Sequence, residues 1–456
     1  MASHVLDMVT LQNNFSTPEM RAIWDERHRL QRQLDVERAL ALAEGELGLI
    51  PKDTAQTIAA ACDGSRFDFE EMLAIGRTVK HSLMPMIRIL QRLSGDAGEY
   101  VHYGATTQDI TDTGMVLQLK ESHDLIRRDL IRLISALTDK ADTYKTTPMA
   151  GRSHGTQAIP FTVGFKLAVW VDELLRHLDR LDEAAARDFT GVLSGAIGTF
   201  ASYGEKGPAI EKRALEILGL SAPRICWHAA QDRFAEYTGI LALLSATLGK
   251  IGHEGFTLMR TEFDELEEPF SEGEIGSSTM PQKRNPAYFE TLASLTRPVW
   301  AAASLVREGM MTENERDAMS WRGIWIGVPE TVLYTSFQLR CAITIAEGLI
   351  VKKDRMLRNL AITGGQISSE HLMFALGAYT GKQTAHHIIY EAAMKAAETG
   401  GSFADILKAD RRVTKFLKPK DIEALLDPSK DLGESVSVAE TVIQHAREVL
   451  REKKNA

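Results

Sequence analysis

The chain has 456 residues, of which 44% are apolar and 25% are charged, and this balance is typical of a globular protein with a large core. Its formal net charge is −9. That charge argues against sequence-independent nucleic-acid binding, because such binding needs a basic surface that displaces counterions.

The sequence also argues against membrane insertion and against a metal site. Its most apolar stretch, residues 238–249, is too short to span a bilayer, and the amino terminus lacks a secretory signal, so we expect a cytoplasmic protein with no membrane partner. Cys62, Cys226 and Cys341 lie far apart, which favours reduced thiols. Because no HExxH, CxxC or GxxxxGK[ST] motif is present, we expect neither a metal nor a cofactor.

Long helices are predicted in three proline-poor parts of the chain. Within residues 112–142, apolar residues recur three, four and seven positions apart between charged ones, which predicts one amphipathic helix. Residues 161–186 repeat this pattern, and residues 237–259 are apolar almost all round, as in a central helix of a bundle. No alternating run is long enough to indicate a sheet, so we predict an all-α fold.

Turn-rich breaks separate the predicted helices. They lie at residues 104–113, 191–207, 269–286 and 364–369. We therefore predict three mainly helical domains, which are an amino-terminal domain (1–110), a central long-helix bundle (111–355) and a carboxy-terminal domain (356–456).

The first candidate functional loop, residues 102–109, offers His102 and the adjacent hydroxyls of Thr106 and Thr107 just before a helix. A helix start suits a carboxylate, because its free N–H groups and positive dipole end favour negative charge. Thr and Asp side chains that simply cap the start of the helix would explain the same residues. Taken by itself, this loop favours helix capping over a functional role.

The second loop, residues 151–157, places His154 between small residues, ahead of the helix predicted to follow Pro160. An accessible histidine can act as an acid or a base near neutral pH. Since a lone histidine is more often structural, the loop by itself does not decide the question.

The third loop, residues 276–286, combines Ser277 with Lys283 and Asn285, which offer a cation and an amide for a carboxylate. A serine is a poor base unless such neighbours stabilise its alkoxide. A solvated basic linker remains the alternative for this loop taken alone.

A family resemblance joins these loops. GSSTMPQKRNP (276–286) resembles the GSSxMPxKxNP signature of the aspartase/fumarase superfamily, and VHYGATTQDITDT, GRSHGTQAIPFTVGFKLAVW and AAQDR resemble further family segments. Their order and spacing are most similar to the adenylosuccinate lyase branch. The resemblance implies a homotetramer whose central helices form one bundle, with each active site shared between three subunits.

The resemblance also implies roles for single residues in a β-elimination. Ser277 would be the general base, His154 the general acid and Glu290 the carboxylate that pairs with this histidine. Removal of a carbon-bound proton creates an enolate-like dianion, which preorganised donors must stabilise. The substrate, a small dicarboxylate, would contact His81, His102, Thr106, Thr107, Gln231, Lys283 and Asn285.

The sequence departs from adenylosuccinate lyases where those enzymes hold a nucleotide. Asn14 and Phe15 replace an Arg-Tyr pair, and Trp325 stands where a phosphate-binding arginine is expected. Each lost charge-assisted contact should cost roughly 1.5 to 3 kcal/mol. We therefore predict a carbon–nitrogen lyase that cleaves an N-substituted aspartate, an aminodicarboxylate without a nucleotide, and releases fumarate.

Three alternatives remain. The chain resembles adenylosuccinate lyase of purine synthesis in its signatures, and its GATTQD and Trp-rich segments resemble 3-carboxy-cis,cis-muconate cycloisomerases. His154 argues against the second, because bacterial members of that branch tend to have an apolar residue there. The scaffold also serves as a structural protein, but such a descendant has no need of Ser277, His154, Lys283 and Glu290 together.

Overall fold

The computed structural model describes residues 3–270, 273 and 276–455, with side chains as far as residue 453. This part of the chain is mainly α-helical, which confirms the predicted fold class. The helices are α1 (Pro18–Trp24), α2 (Glu26–Glu46), α3 (Lys52–Ala61), α4 (Phe69–Val79), α5 (Met84–Leu93), α6 (Thr107–Thr143), α7 (Val163–Asp188), α8 (Gly207–Ile217), α9 (Asp232–Met259), α10 (Ala287–Glu308), α11 (Ala318–Gly348), α12 (Lys353–Leu360), α13 (Ser369–Thr380), α14 (Lys382–Thr399), α15 (Phe403–Ala409), α16 (Arg411–Thr414), α17 (Pro419–Leu425) and α18 (Ser435–Asn455).

Two short antiparallel strand pairs interrupt the helices. They are β1 (Pro148–Ser153) with β2 (Thr156–Thr162), and β3 (Leu266–Glu267) with β4 (Ile350–Val351). The sequence predicted no strands. A register shift between Ala150 and Arg152 disturbs the alternation of the longer pair, which removes the pattern by which a strand is recognised.

The three predicted long helices are present, with shifted ends. The first is α6, whose 37 residues begin at Thr107, so the second half of the predicted break at 104–113 is helical. The second, α7, begins only after Phe161 and Thr162, which belong to β2. Of the predicted break at 269–286, residues 271–272 and 274–275 lie outside the described residues. None of the helices in the described ranges has both the length and the apolar character needed to cross a bilayer.

The chain forms two compact units, each assembled from separated segments. The first unit comprises Met1–Leu130, His177–Gly249 and Ser294–Arg340, and the second comprises Ile131–Arg176, Lys250–Ala293 and Cys341–Ala456. The division into three consecutive domains stays a proposal.

In the first unit, α2 packs against α3 and α8. The approach to α3 is close, because a Cβ at Gly45 would lie 2.5 Å from the Cβ of Ala55. The buried face of α2 carries apolar side chains such as Leu34 and Leu40, and it also carries the carboxylates of Glu37 and Glu44. Buried carboxylates are rare without partners, so these two mark a polar region inside the core.

In the second unit, α10 lies close against the end of α9. A Cβ at Gly252 would lie 2.7 Å from the backbone oxygen of Phe289 and the backbone nitrogen of Ala293, so only glycine allows this approach. The contact fixes the first turns of α10, which carry Glu290. A separate apolar cluster, centred on residues such as Leu376, Phe403 and Leu407 of α13 and α15, forms the carboxy-terminal part of the unit.

Candidate active site

His154 lies at the tip of the β1–β2 hairpin rather than in a loop that opens a helix. A two-residue turn, His154 and Gly155, joins the paired residues Ser153 and Thr156. Both turn residues have positive φ, 51° and 81°, as a type I′ hairpin turn requires. A non-glycine residue in that region costs roughly 1 to 3 kcal/mol, and the result is an exposed imidazole held at the end of a short ribbon.

Buried contacts in the second unit hold the base of this hairpin. The guanidinium of Arg152 donates to both carboxylate oxygens of Glu265, at 2.7 and 3.1 Å. Asn359 Nδ2 donates to Glu265 Oε1 at 2.9 Å, and Gln157 Nε2 donates to the Asn359 carbonyl at 2.8 Å. Because Glu265 is fully buried, the ribbon is anchored while its tip stays accessible.

Ser277 lies in a loop that surrounds its hydroxyl with backbone donors. The N–H groups of Met280 and Thr279 donate to Ser277 Oγ, at 3.1 and 3.4 Å. Asn285 Nδ2 donates to the Gly276 carbonyl at 2.8 Å and holds the two ends of the loop together. Donors aimed at an oxygen favour its anionic form, so the local structure suits a serine alkoxide.

A cavity of about 740 Å³ in the second unit brings three predicted site residues together. Lys283, Asn285 and Glu290 line it, and Arg260, Lys352 and Arg355 are among the remaining lining residues. Lys352 pairs with Asp264 and Glu267, whereas no carboxylate of the described residues forms an ion pair with Lys283. Lys283 thus places an ammonium group in the lining of this cavity.

Glu290 is exposed in the first turn of α10. The buried Glu268 caps this helix by accepting the N–H groups of Phe289 and Tyr288 at 2.6 and 3.1 Å. Burial raises the pKa of Glu268 to about 6, against the lowering effect of these donors. Within one chain, and for the described residues, no hydrogen bond or ion pair joins Glu290 to His154.

In the first unit, the loop before α6 assembles other predicted residues. Thr107 Oγ1 lies 3.4 Å from His81 Nε2. The Thr106 N–H donates to the buried Asp109 at 2.9 Å, which is the capping role considered as the alternative for this loop. His102 Nδ1 lies 2.6 Å from the buried carboxylate of Glu37. Burial lowers the pKa of His102, but the charge and hydrogen bond of Glu37 outweigh it, so the pKa is raised.

Arg316 is a site residue that sequence reasoning missed. Its guanidinium donates to Thr106 Oγ1 at 2.7 Å and to Gln108 Oε1 at 3.2 Å. No local pattern predicts this role, because Thr106 lies 210 residues away in the chain. The contact places a permanent cation beside one of the predicted carboxylate-binding hydroxyls.

Gln231 is expected to contact substrate, but in the structure its side chain is buried against a backbone carbonyl. Its side chain is only 2% exposed, and its amide donates to the His228 carbonyl at 2.8 Å. The predicted contact of Gln231 with substrate therefore stays a prediction.

Of the positions that depart from a nucleotide site, Trp325 forms an aromatic surface with Trp321 in the first unit. The rings of Trp321 and Trp325 stack at 6.3 Å with an interplanar angle of 21°. The guanidinium of Arg316 lies 5.3 Å from the Trp321 ring, and that of Arg29 lies 5.6 Å from the Trp325 ring. Phe15 packs instead against the core cluster that contains Leu295 and Val299.

For a metal ion, the described residues offer no cluster of three or more His, Cys, Asp and Glu side chains in a suitable arrangement.

Comparisons with known proteins identify the family. A family model described as "Lyase" matches residues 13–300, and one described as "Adenylosuccinate lyase C-terminus" matches residues 365–442. The chain is 50% identical to N-acetyl-S-(2-succino)cysteine lyase of Dickeya dadantii, over 98% of both chains. It is 39% identical to adenylosuccinate lyase of Methanocaldococcus jannaschii, over 97% of this chain and 96% of that protein.

Its fold matches the solved 3-carboxy-cis,cis-muconate lactonizing enzyme of Pseudomonas putida with a TM-score of 0.90 and 34% identity, over 95% of this chain and 98% of the other. These comparisons confirm the predicted family and the predicted class of enzyme, a lyase that releases fumarate. The chain belongs to the aspartase/fumarase superfamily of lyases.

Proposed function

We propose that this protein removes a 2-succinyl group from the sulfur of an N-acylated cysteine and releases fumarate and a thiol. The observation that carries the proposal is the 50% identity, over 98% of both chains, to a lyase named for N-acetyl-S-(2-succino)cysteine. The aromatic surface of Trp321 and Trp325 supports it, because two indole rings suit a small acylated leaving group better than a phosphate.

In the proposed reaction, Ser277 Oγ removes the proton from the carbon next to one succinyl carboxylate. The electron pair left on that carbon forms the double bond of fumarate, and the bond from the neighbouring carbon to sulfur breaks. His154 donates a proton to the departing group. The N–H groups of Met280 and Thr279 support this role for Ser277, because they donate to its hydroxyl oxygen.

The two carboxylates of the substrate need donors that are in place before the dianion forms. We assign this role to Thr106, Thr107, Gln231, Lys283 and Asn285, with His81 and His102 as further contacts. The position of Lys283 and Asn285 in the lining of one cavity and the contact of Arg316 with Thr106 support the assignment.

We also propose that the active protein is a homotetramer with each active site shared between three subunits. Two observations on single elements support an oligomer. Leu243 on α9 is 52% exposed, and Trp300 on α10 is 51% exposed, although both helices are largely apolar. Glu290 and His154 share no hydrogen bond or ion pair within the described residues of one chain, which fits a pair formed between two subunits. A cytoplasmic location stays a prediction.

A nitrogen leaving group is the second candidate, and the exposed His154 favours it. A thiol has a pKa of about 8.5 and can leave as its anion, whereas an uncharged amine would have to leave as a far more basic nitrogen anion. A thiolate therefore departs with little help from an acid, but an amine must be protonated as the bond breaks. An N-substituted aspartate, including adenylosuccinate, would use the same base and the same carboxylate contacts.

Two products measured together distinguish the candidates. The purified protein is incubated with N-acetyl-S-(2-succino)cysteine, adenylosuccinate, argininosuccinate, iminodisuccinate and carboxymuconate. Fumarate is followed by its ultraviolet absorbance, and free thiol by a chromogenic thiol reagent. Equal amounts of fumarate and thiol from the first compound are expected, and fumarate from adenylosuccinate alone would refute the proposal.

A further inference from the structure

Cys226, His228 and Asp109 form a continuous group in the first unit that the proposed reaction does not use. His228 Nε2 lies 2.9 Å from Asp109 Oδ1. The imidazole of His228 is 1% exposed and Asp109 is fully buried. Asp109 also accepts the N–H groups of Ser194 and Gly195, each at 3.0 Å. The carboxylate is therefore fixed, and it fixes the orientation of the imidazole ring.

Two buried polar atoms converge on the Cys226 thiol. His228 Nδ1 and Ser194 Oγ have no hydrogen-bond partner of ordinary geometry within the described residues. Both side chains interact with the thiol of Cys226. Ser194 is fully buried, so neither atom is satisfied by bulk water. A negative charge on the sulfur would accept from both groups, which strengthens the interaction because a charged acceptor makes the stronger hydrogen bond.

Gly198 packs directly against the side chain of Cys226. A Cβ at Gly198 would lie 2.6 Å from Cys226 Sγ and 3.7 Å from Ser194 Oγ. Gly198 has a φ of +82°, which glycine adopts without strain. Cys226 itself is half-buried, so its sulfur is not sealed in the core as those of Cys62 and Cys341 are.

The charges around the sulfur favour a thiolate. Burial raises the pKa of Cys226, but hydrogen bonds from His228 and Ser194 outweigh it, and the pKa is lowered. Burial lowers the pKa of His228, but hydrogen bonds to Asp109 and Cys226 raise it to about 9. Burial raises the pKa of Cys62 well above its ordinary value. A thiolate paired with an imidazolium is the nucleophilic form of cysteine.

The same loops touch the candidate active site. Gln231 Nε2 donates to the carbonyl of His228 at 2.8 Å. Arg316 donates to the carbonyl of Ala196 at 3.3 Å and to Thr106 Oγ1 at 2.7 Å. The loop that carries Ser194 and Gly198 is thus joined by Arg316 to a predicted carboxylate-binding residue. A dicarboxylate released there meets the cation of Arg316, which also contacts the loop that carries Ser194.

We propose that fumarate, the product, adds to Cys226 and that this modification inhibits the enzyme. The sulfur forms a bond to one alkene carbon, and the neighbouring carbon takes the proton that the thiol had given to His228. The product is a 2-succinyl thioether on Cys226, and its atoms are those of the protein plus one fumaric acid, with no oxidant or reductant. The inference rests on the proposed function only for the source of the fumarate.

The modification introduces two carboxylates next to Arg316 and the loop that holds Gln231. They compete with substrate for the same cation. The enzyme would therefore slow as fumarate accumulates.

Peptide mass spectrometry tests the proposal on the full-length protein. Wild type, Ser277→Ala and Cys226→Ser are incubated with fumarate, and succinate, which lacks the double bond, is the matched control. We expect the peptide with Cys226 to gain the mass of one fumaric acid in wild type and Ser277→Ala. We expect no gain with succinate, and none at Cys62 or Cys341. Modification of Ser277→Ala, whose turnover is expected to be strongly reduced, separates this proposal from the proposed function.

Two further readouts make the test independent of folding defects. The rate of iodoacetamide labelling of wild-type Cys226 is measured against pH, and its midpoint is expected below the value of about 8.5 of an ordinary cysteine. Activity after fumarate treatment should fall in proportion to the modified fraction in wild type and stay constant in Cys226→Ser. An unmodified Cys226, a labelling midpoint at or above that of an ordinary cysteine, or full activity of the modified protein would each overturn the inference.

Discussion

Arg152 and the fully buried Glu265 form a bidentate ion pair, with donor–acceptor distances of 2.7 and 3.1 Å, two residues before His154. The pair lies at the base of the β1–β2 hairpin and takes no part in the proposed reaction. It fixes where the ribbon leaves the protein, and thereby where the imidazole at its tip is presented.

Breaking this pair should destabilise the protein. Arg152→Met leaves the buried carboxylate of Glu265 without its cation, and we expect a loss of roughly 3 to 5 kcal/mol in the free energy of unfolding. Urea denaturation measures the change. The matched control is Arg176→Met, which removes the arginine of the exposed pair with Asp172 and should change stability by less than about 1 kcal/mol. Equal effects of the two substitutions would show that the hairpin is not anchored in this way.

Ser277→Ala tests the proposed base. We expect turnover to fall by about 10² to 10⁴-fold, because the alanine variant lacks the oxygen that accepts the N–H groups of Met280 and Thr279. The oligomeric state and the circular dichroism spectrum should stay unchanged. Thr279→Val, which removes a neighbouring exposed hydroxyl from the same loop, is the control and should retain activity. Unchanged turnover of Ser277→Ala would remove the assignment.

His154→Asn tests the proposed acid through its dependence on the leaving group. The amide can occupy the positive-φ position at the hairpin tip, since Asn tolerates it well, but it cannot donate a proton as an acid. We expect a larger fall in kcat for a nitrogen leaving group than for a thiol, because the amine needs protonation. Steady-state kinetics with one substrate of each kind gives the two ratios. Equal slowing of both reactions would mean that His154 is not the acid.

Glu44→Gln should make the protein more stable at alkaline pH. Burial, and then the charge of Glu37, raise the pKa of Glu44 from 4.5 to about 9. The unfolded chain releases this proton near pH 4.5 and the folded chain keeps it to about pH 9, so stability falls as the pH rises between these values.

Glutamine does not titrate, so the variant does not lose stability in this way as the pH rises. Relative to wild type, the variant should gain about 2 to 4 kcal/mol in free energy of unfolding between pH 5 and pH 8. Chemical denaturation at the two pH values measures the gain. Glu46→Gln, on the same helix but exposed, is the control and should show no gain, because Arg213 lowers the pKa of that carboxyl. A pH-independent difference for Glu44→Gln would contradict the account.

Much of the fold was predictable because helices leave a local pattern in the sequence. The apolar periodicity of α6 extends over most of its 37 residues, and residues such as Leu119 and Ile134 are fully buried as that pattern indicates. The β1–β2 hairpin was missed, because its register shift at Ala150 and Arg152 breaks the alternation that marks a strand.

The site was predictable only where residues lie in a continuous motif. Lys283, Asn285 and Glu290 follow one another closely in the sequence, and they line one cavity. Arg316 and Thr106 lie 210 residues apart, and His228 lies 119 residues from Asp109. No local pattern signals contacts at such separations, because they depend on how the helices pack.

The most direct test of the central claim is the ratio of kcat/KM for N-acetyl-S-(2-succino)cysteine to that for adenylosuccinate, with fumarate as the common readout. We predict a ratio of at least about 10³, which corresponds to roughly 4 kcal/mol and to the loss of two or three charge-assisted phosphate contacts. A ratio below one would contradict the account, because it would mean that Asn14, Phe15 and Trp325 still permit a nucleotide to bind.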